Sequence, residues 1–279
     1  MIKEARMKVA KKNSAGKPIG IRREGYYIFD FWQGEDKHVS MTEVLGQGIP
    51  KQRFLNPWAA GCAADALIEN PELSRAEAIA AIYKSRDAGG RRGTAVHSWS
   101  EALTGGAPLK AEDLPVDWQG YGRAFLAWVE KEKPQVVMNE FIVLSDRLMT
   151  AGQVDRGFRL PGETYAANEM DILDIKTSAS LYPEGKVQLE MYRLCGNEAG
   201  FFVKRVYTDG VAEDKKYPLP KIRKCYLLHL KESGKYDFKC TDDIFNTSVP
   251  TEEVFKAAKI MRRWGKELDE KREAVLGAV

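Results

Sequence analysis

The sequence predicts an α/β (α+β) protein in which helices flank a mixed central β-sheet. Helical periodicity dominates the chain before Pro134, and β-rich segments follow directly after it. A further helix, a strand pair and a last helix complete the order. Because neighbouring strands are connected by hairpins in some places and by a helix in another, we expect a sheet with both parallel and antiparallel pairs.

The N-terminal region is predicted to begin with a basic arm of about 25 residues and a strand at Tyr26–Trp32, "YYIFDFW". Core packing is the better interpretation of the aromatic side chains in this strand, with stacking on frayed bases as the alternative. Asn56-Pro57 supplies an N-cap and a first-turn proline for a helix over "WAAGCAADALIEN".

Two more helices are predicted before residue 107. Ser74 and Glu77 form a capping box ahead of "AIAAIYKSRD", and Gly89-Gly90 should end that helix. A new helix is expected to begin near Gly93 and to end at Gly105-Gly106.

The remaining elements follow in chain order. "WQGYGRAFLAWVEKEK" predicts a helix that Pro134 ends. "QVVMNEFIVLS", "TAGQVDRGFRL" and "EMDILDIKTS" predict three strands, and "KVQLEMYRLCGNE" predicts a helix. "KCYLLHLK" and "KYDFKC" predict a hairpin with its turn at Ser233-Gly234, followed by a long charged helix from about Thr251.

Composition excludes some classes of protein and leaves others open. The 43 basic and 40 acidic residues nearly cancel, so the net charge of +3 does not indicate a polyanionic partner. The basic start lacks an apolar signal region and no apolar stretch approaches about 20 residues, so we expect a cytoplasmic protein without a membrane partner. No G-x-x-x-x-G-K-[ST] phosphate loop is present, which argues against a P-loop motor.

The segment "DILDIKTS" carries the first indication of chemistry. Asp174 and Lys176 lie two residues apart in a predicted strand, so they share a face of the sheet. A hairpin with the preceding strand brings Asp155 beside Asp174, and two adjacent carboxylates repel each other unless a cation lies between them. Mg²⁺ or Mn²⁺ would resolve the conflict; a cross-strand salt bridge on a solvated face is the alternative.

Other polar positions recur at helical spacing. Gly93, His97 and Glu101 are four residues apart and so share one face of the predicted helix. Arg91-Arg92 precedes them at the expected helix N-terminus, where charge and helix dipole would attract a phosphate. The remaining candidates are Glu140 on the first strand of the meander, and Gln188 and Tyr192 on the next helix.

In this order the motifs resemble the RecB-type branch of the PD-(D/E)XK nuclease superfamily, which includes stand-alone phage nucleases and CRISPR adaptation exonucleases. They are G-x-x-x-H at Gly93–His97, an acid at Glu140, G-x-x-D at Gly152–Asp155, D-x-K at Asp174–Lys176 and Q-x-x-x-Y at Gln188–Tyr192. A weaker likeness extends back to about residue 40. The resemblance implies a restriction-endonuclease-like core at 91–279 and a helical N-terminal lobe at 1–90, expected to form one compact unit.

The resemblance also implies roles for these residues. His97, Asp155, Asp174 and the carbonyl of Ile175 would bind one or two Mg²⁺ or Mn²⁺ ions, and Glu140 a second ion or its water. Lys176 would orient the attacking water and stabilise the phosphate, with Gln188 and Tyr192 supporting the lysine. The expected DNA contacts are Arg91, Arg92, Arg156, Lys186 and Tyr192. Cys62, Cys195, Cys225 and Cys240 lack the spacing of the iron–sulfur relatives, so no cluster is expected.

The function that follows from the resemblance is metal-dependent hydrolysis of DNA by an exonuclease that resects single- or double-stranded ends in recombination, repair or replication. A structure-specific or nicking endonuclease and a non-catalytic DNA-binding protein are the alternatives, and RNA remains open as a substrate because the site acts on the phosphate. A recombination partner or a homo-oligomer is the expected assembly, in the cytoplasm of a bacterial host if a phage encodes the chain.

Overall fold

A computed structural model describes residues 22–23, 26–29, 31–32, 37–49, 52–208, 211–244 and 247–276. The strands are β1 Arg22–Arg23, β2 Tyr26–Tyr27, β3 His38–Ser40, β4 Gln135–Ser145, β5 Thr150–Arg159, β6 Glu169–Lys176, β7 Phe201–Thr208, β8 Val211–Pro218, β9 Lys221–Leu230 and β10 Tyr236–Cys240. The helices are α1 Met41–Gly48, α2 Gln52–Glu69, α3 Arg75–Thr104, α4 Gln119–Glu132, α5 Glu184–Ala199 and α6 Thr251–Leu276.

The strands form one mixed sheet. β5 lies antiparallel to both β4 and β6, β6 lies parallel to β9, and β9 lies antiparallel to β10. The connection between the parallel strands β6 and β9 includes helix α5, as expected for strands that a hairpin cannot join. The predicted class, α+β with a mixed central sheet and flanking helices, is confirmed.

The sheet divides along one edge of β5. The start of β5 pairs in parallel with β3, through Val39 with Thr150 and Ser40 with Ala151. The later part of the same edge pairs with β6, and that ladder begins at Arg156 with Leu173. Residues 152–155 therefore lie between the two partners, and they are the G-x-x-D segment.

Helices cover both faces of the sheet and bury two apolar clusters. On one side α3 and α4 pack on the sheet, where Trp128 meets Phe158 and Leu173. On the other side α1, α5 and α6 contribute a cluster that includes Leu189 and Phe255, both fully buried. Because both faces of β6 are covered, its aliphatic residues are buried in both directions, as in other doubly covered strands.

The predicted break at Gly89-Gly90 is wrong, since α3 runs without interruption for 30 residues. Its start at the Ser74–Glu77 capping box and its end at Gly105 are confirmed. Two glycines within a helix cost about 1 kcal/mol each relative to alanine, which packing elsewhere can offset. The Arg91-Arg92 pair is consequently inside a helix and not at an N-terminus, and the expected boundary between residues 90 and 91 falls within α3.

Two other predictions need correction. Helix α2 begins at Gln52, so Pro57 lies inside it rather than at its first turn. The strand predicted over residues 26–32 is limited to β2, although Tyr27 and Phe29 are buried as the core interpretation expects. The β7–β8 hairpin was not predicted. Of the basic arm predicted over about the first 25 residues, the structure describes only β1, and residues 1–21, 24 and 25 lie outside the described residues. Among the helices of the described ranges, none combines the length and apolar character needed to cross a membrane.

Candidate functional site

An open cleft of about 1270 Å³ lies where α3 and α5 approach the divided edge of β5. Its walls come from both helices, from the middle of β5 and the end of β6, and from Glu140 on β4. The cleft brings together the following predicted site residues: Arg92, Gly93, His97, Glu101, Glu140, Asp155, Asp174, Ile175, Lys176, Gln188 and Tyr192. Motifs spread over a hundred residues of sequence therefore meet in one place.

Three of these side chains form a group with the dimensions of a metal site. One ligand atom from each of His97, Glu140 and Asp155 lies within 4.8 Å of the other two. They come from α3, β4 and β5, respectively, so the arrangement depends on the tertiary fold and not on local spacing. Two carboxylates and an imidazole are a donor set that a divalent cation can use.

Glu140 has an unusual backbone. Its φ is +48°, in the left-handed region that non-glycine residues rarely adopt. Its carboxylate accepts a hydrogen bond from Gln153 Nε2 and lies 3.5 Å from Arg156 Nη1. Strained residues of this kind cluster at functional sites, where the surrounding structure holds them in place.

Asp155 is fixed where the β5–β6 ladder ends. Its Oδ2 accepts a hydrogen bond of 2.7 Å from the backbone N–H of Ile175, so the carboxylate occupies a position that a strand carbonyl would otherwise fill. Its Oδ1 lies 3.4 Å from His97 Nδ1. His97 Nε2 lies 3.0 Å from the carbonyl oxygen of Ile175, to which only a protonated nitrogen can donate.

The electrostatics of this group favour the protonated forms of His97 and Glu140. Burial lowers the pKa of His97, but the charge of Asp155, its hydrogen bond, and the charges of Asp174 and Glu140 outweigh burial, so this pKa rises to about 9. Burial and the negative charge of Asp155 raise the pKa of Glu140 to about 7, against the opposing effect of Gln153. A cation among these side chains would relieve the repulsion between the carboxylates.

The two aspartates differ in their environments. Burial raises the pKa of Asp155, but His97 and the Ile175 N–H outweigh it, so the net direction is downward. Burial dominates at Asp174 and raises the pKa of its carboxyl, although Lys176 opposes that change. Burial lowers the pKa of Lys176, but Asp174 outweighs it and keeps the ammonium charged.

A chain of polar contacts holds Lys176. Its Nζ lies 2.6 Å from Asp174 Oδ2 and donates to Gln188 Oε1 at 3.3 Å. Gln188 Nε2 in turn donates to the hydroxyl of Tyr192 at 2.6 Å. Gln188 thus contacts the lysine directly, and Tyr192 is linked to it through Gln188.

The predicted metal ligands are arranged differently from the expected set. Glu140, expected to serve a second ion, lies with His97 and Asp155 in the tight group. Asp174 lies beside this group and is paired with Lys176. The carbonyl of Ile175 adjoins the group through its contact with His97.

The predicted DNA contacts separate into exposed and buried side chains. Arg91 is exposed, and Lys186 is half-exposed on α5. Arg92 lines the cleft and donates to the carbonyl of Thr177 at 2.9 Å. The prediction that Arg156 and Tyr192 contact DNA is wrong, because each side chain is only 1% exposed. Arg156 bonds to Ser100 Oγ and to the carbonyl of Asp155 instead of facing solvent.

Gln153 is a site residue that the sequence analysis missed. It lines the cleft and donates to the strained Glu140. Its position two residues before Asp155 on the same strand was a usable signal, since alternate residues of a strand share a face. Thr177, whose carbonyl accepts from Arg92, also lines the cleft and directly follows Lys176.

A scan against models of protein families found no family that matches this chain, and a search of curated proteins found none similar to it. The chemistry of the site is therefore inferred from its own residues.

Proposed function

We propose that the protein is a divalent-metal-dependent nuclease of the RecB-type PD-(D/E)XK kind that hydrolyses phosphodiester bonds of DNA as an exonuclease acting on ends. The observation that carries this proposal is the convergence of His97, Glu140 and Asp155 within 4.8 Å, in a cleft that also holds Lys176. An acidic and imidazole group beside a fixed ammonium is the combination that phosphate hydrolysis uses.

The residues present fit Mg²⁺ or Mn²⁺. Carboxylate oxygens suit both ions, and the imidazole nitrogen of His97 is a ligand that Mn²⁺ accepts more readily than Mg²⁺. The elevated pKa of Glu140 and the strain in its backbone are both features that a bound cation would offset. His97, Glu140 and Asp155 would hold the ion, with Asp174 and the Ile175 carbonyl at its edge.

When bound, the ion supplies Lewis acidity to the phosphate and to an attacking water. Lys176 orients that water and donates to the phosphate oxygens as negative charge develops on them. Gln188 and Tyr192 restrict the movement of the lysine, and Asp174 keeps it charged. The products are a free hydroxyl and a phosphate monoester end.

The α3 side of the cleft offers a path for the DNA backbone. Arg91 is exposed, and Arg92 and Gly93 line the cleft. A Cβ placed on Gly93 would meet Thr177 Oγ1 at 3.6 Å, an ordinary contact, so internal packing does not require glycine there. We attribute the small residue to close approach of the substrate strand.

The proposal is tested by digesting end-labelled linear DNA with Mn²⁺, using the wild type, Lys176→Ala and the control Lys239→Ala, which alters an exposed side chain on the edge strand β10. We expect the wild type and the control to degrade the DNA, and Lys176→Ala to be slower by about 10²–10³-fold. Equal rates for the wild type and Lys176→Ala would refute the role of the lysine. Binding of DNA without cleavage by the wild type would favour a non-catalytic DNA-binding protein.

Covalently closed circular DNA distinguishes the two kinds of nuclease. An exonuclease requires an end, so we expect the circle to survive under conditions that degrade the linear form. Nicking or linearisation of the circle would show an endonuclease instead.

A further inference from the structure

A second groove, of about 710 Å³, lies between α6 and the strands β2 and β3. Among its lining residues are seven basic side chains and only two acidic ones. The basic residues are Lys37, Arg147, Lys256, Lys259, Arg262, Arg263 and Lys266, and the acidic ones are Glu267 and Glu270. Arg147, Lys256 and Arg263 pair with carboxylates, so the net positive charge of the groove is smaller than this count, but it is still local in a chain that is nearly neutral overall.

Arg262 is the most unusual of these side chains. It is only 7% exposed, and its Nη1 lies 3.4 Å from the hydroxyl of Tyr26. Its Nε and Nη2 are buried and have no hydrogen-bond partner within the described part of the chain. A buried guanidinium with unused donors is unfavourable, so an acceptor at this position would stabilise the protein.

Cations also crowd the ring of Tyr26. The guanidinium carbon of Arg262 lies 5.1 Å from the ring centroid, and the ammonium nitrogens of Lys266 and Lys37 lie 5.2 Å and 6.0 Å from it. The ring attracts each cation, but the three like charges repel one another. An anion in the groove would reduce this repulsion.

We propose that this groove binds the phosphate groups of a nucleic-acid strand, with Arg262 and Lys266 as the main contacts. The inference rests on the proposed function for the identity of the ligand. A guanidinium donates to phosphate oxygens with matching geometry, and an ammonium adds a second charge.

The arrangement favours a strand over a single phosphate ion. Lys259, Arg262 and Lys266 recur about once per turn of α6, a row of roughly 10 Å at 1.5 Å per residue. Tyr26 lines this groove, and the next residue of β2, Tyr27, lines the cleft and points to the opposite face of the strand.

The test is binding of a fluorescein-labelled 20-nucleotide oligothymidine in EDTA, measured by anisotropy over a range of salt concentrations. Arg262→Gln and Lys266→Gln should each weaken binding roughly tenfold. Each should also reduce the slope of log K against log salt by about 0.7. Lys239→Gln on β10 is the charge-matched control and should bind like the wild type.

Because Arg262 is buried, Lys266→Gln and one further variant guard against a folding defect. Lys266→Gln alters a half-exposed side chain, and Arg262→Lys retains the charge and should restore part of the affinity. Wild-type affinity and slope in both Lys266→Gln and Arg262→Gln would overturn the proposal. Inorganic pyrophosphate is the second probe: if it binds tightly in the groove while the oligonucleotide does not, the ligand is a small phosphate compound and the strand proposal is wrong.

Binding in EDTA is independent of cleavage, so the two proposals can fail separately. If the wild type binds DNA through Arg262 but never cleaves it, the proposed nuclease function is wrong and the proposed binding groove is supported. Cleavage by the wild type with unaltered binding in the groove variants would do the reverse.

Discussion

The ring of Tyr192 lies directly over the α-carbon of Gly152. A Cβ on residue 152 would be 2.2 Å from Tyr192 Cε1, so no other residue fits without displacing the ring. The G-x-x-D and Q-x-x-x-Y motifs are thus two sides of one contact. Through Gln188, this contact extends to the position of Lys176.

Gly152→Ala should therefore destabilise the protein by about 1–3 kcal/mol, since the added methyl group must push the Tyr192 ring away. It should also lower the proposed nuclease activity, because Lys176 loses its support. Urea denaturation measures the first effect. Gly61→Ala is the control: a Cβ there meets nothing within 4 Å on α2, so stability should rise slightly. Equal stability of Gly152→Ala and the wild type would contradict the contact.

Mn²⁺ should stabilise the wild type against heat. At a free concentration 100 times Kd, binding contributes about 2.7 kcal/mol, and we expect Tm to rise by about 5–10 °C. His97→Ala and Glu140→Gln should lose most of this response. Glu101→Gln, which alters a cleft residue one turn from His97, should retain it. A normal Mn²⁺ response in His97→Ala would place the ion elsewhere.

Although Glu140→Gln should remove the stabilisation by Mn²⁺, it should raise the Tm of the metal-free protein. Burial and Asp155 raise the pKa of Glu140 to about 7, so above pH 7 the folded state carries an unfavourable charge that the unfolded state, with a pKa near 4.5, does not penalise. Removing that charge should raise the metal-free Tm at pH 8 and have less effect at pH 5. A lower Tm at pH 8 would show that Gln153 and Arg156 stabilise the ionised form more than we infer.

Metal binding at pH 7 should release between one and two protons. The pKa of His97 is about 9, so the imidazole must lose a proton, and Glu140, near pKa 7, loses about half of one. Affinity should consequently increase as the pH rises from 6 to 9. Titration calorimetry in buffers of different ionisation enthalpy measures the number released. An identical heat in every buffer would mean that His97 is already neutral and Glu140 already ionised.

Arg156→Met should lower the free energy of unfolding by about 2–4 kcal/mol, because it removes bonds to Ser100 and to the Asp155 carbonyl and leaves Glu140 without its cation. Arg91→Met, on the exposed surface of α3, should stay within about 0.5 kcal/mol of the wild type. Weaker oligonucleotide binding by Arg91→Met would support Arg91 as a DNA contact.

Local sequence patterns predicted most strands and helix ends but not the continuity of α3. Helices often end at a glycine pair. Only the packing of the complete helix shows that α3 continues through Gly89-Gly90. The β7–β8 hairpin carried a signal that was not used: alternating residues surround Asp209-Gly210, a frequent hairpin dipeptide. The start of α2 was predicted wrongly because the sequence alone does not distinguish a proline in the first turn of a helix, as expected for Pro57, from one in its interior.

For the site, strand spacing predicted that Asp155, Asp174 and Lys176 lie together, and the family resemblance added His97; all four line one cleft. Spacing could not rank Glu140 above Asp174 as a neighbour of His97, because that depends on the left-handed backbone at Glu140. Burial of Arg156 was equally invisible, since an arginine beside a predicted acidic site is as consistent with a substrate contact as with an internal counter-ion.

The uninterrupted α3 has a mechanical consequence. His97 lies 22 positions after Arg75, about 33 Å along the axis at 1.5 Å per residue, and the outer part of the helix pairs with α2. Gly89-Gly90 lies between His97 and the part of α3 that packs on α2. Because these two residues have no side chains, this is the position where α3 bends most easily. Bending at Gly89-Gly90 would let the N-terminal part of α3 move while the imidazole of His97 keeps its position.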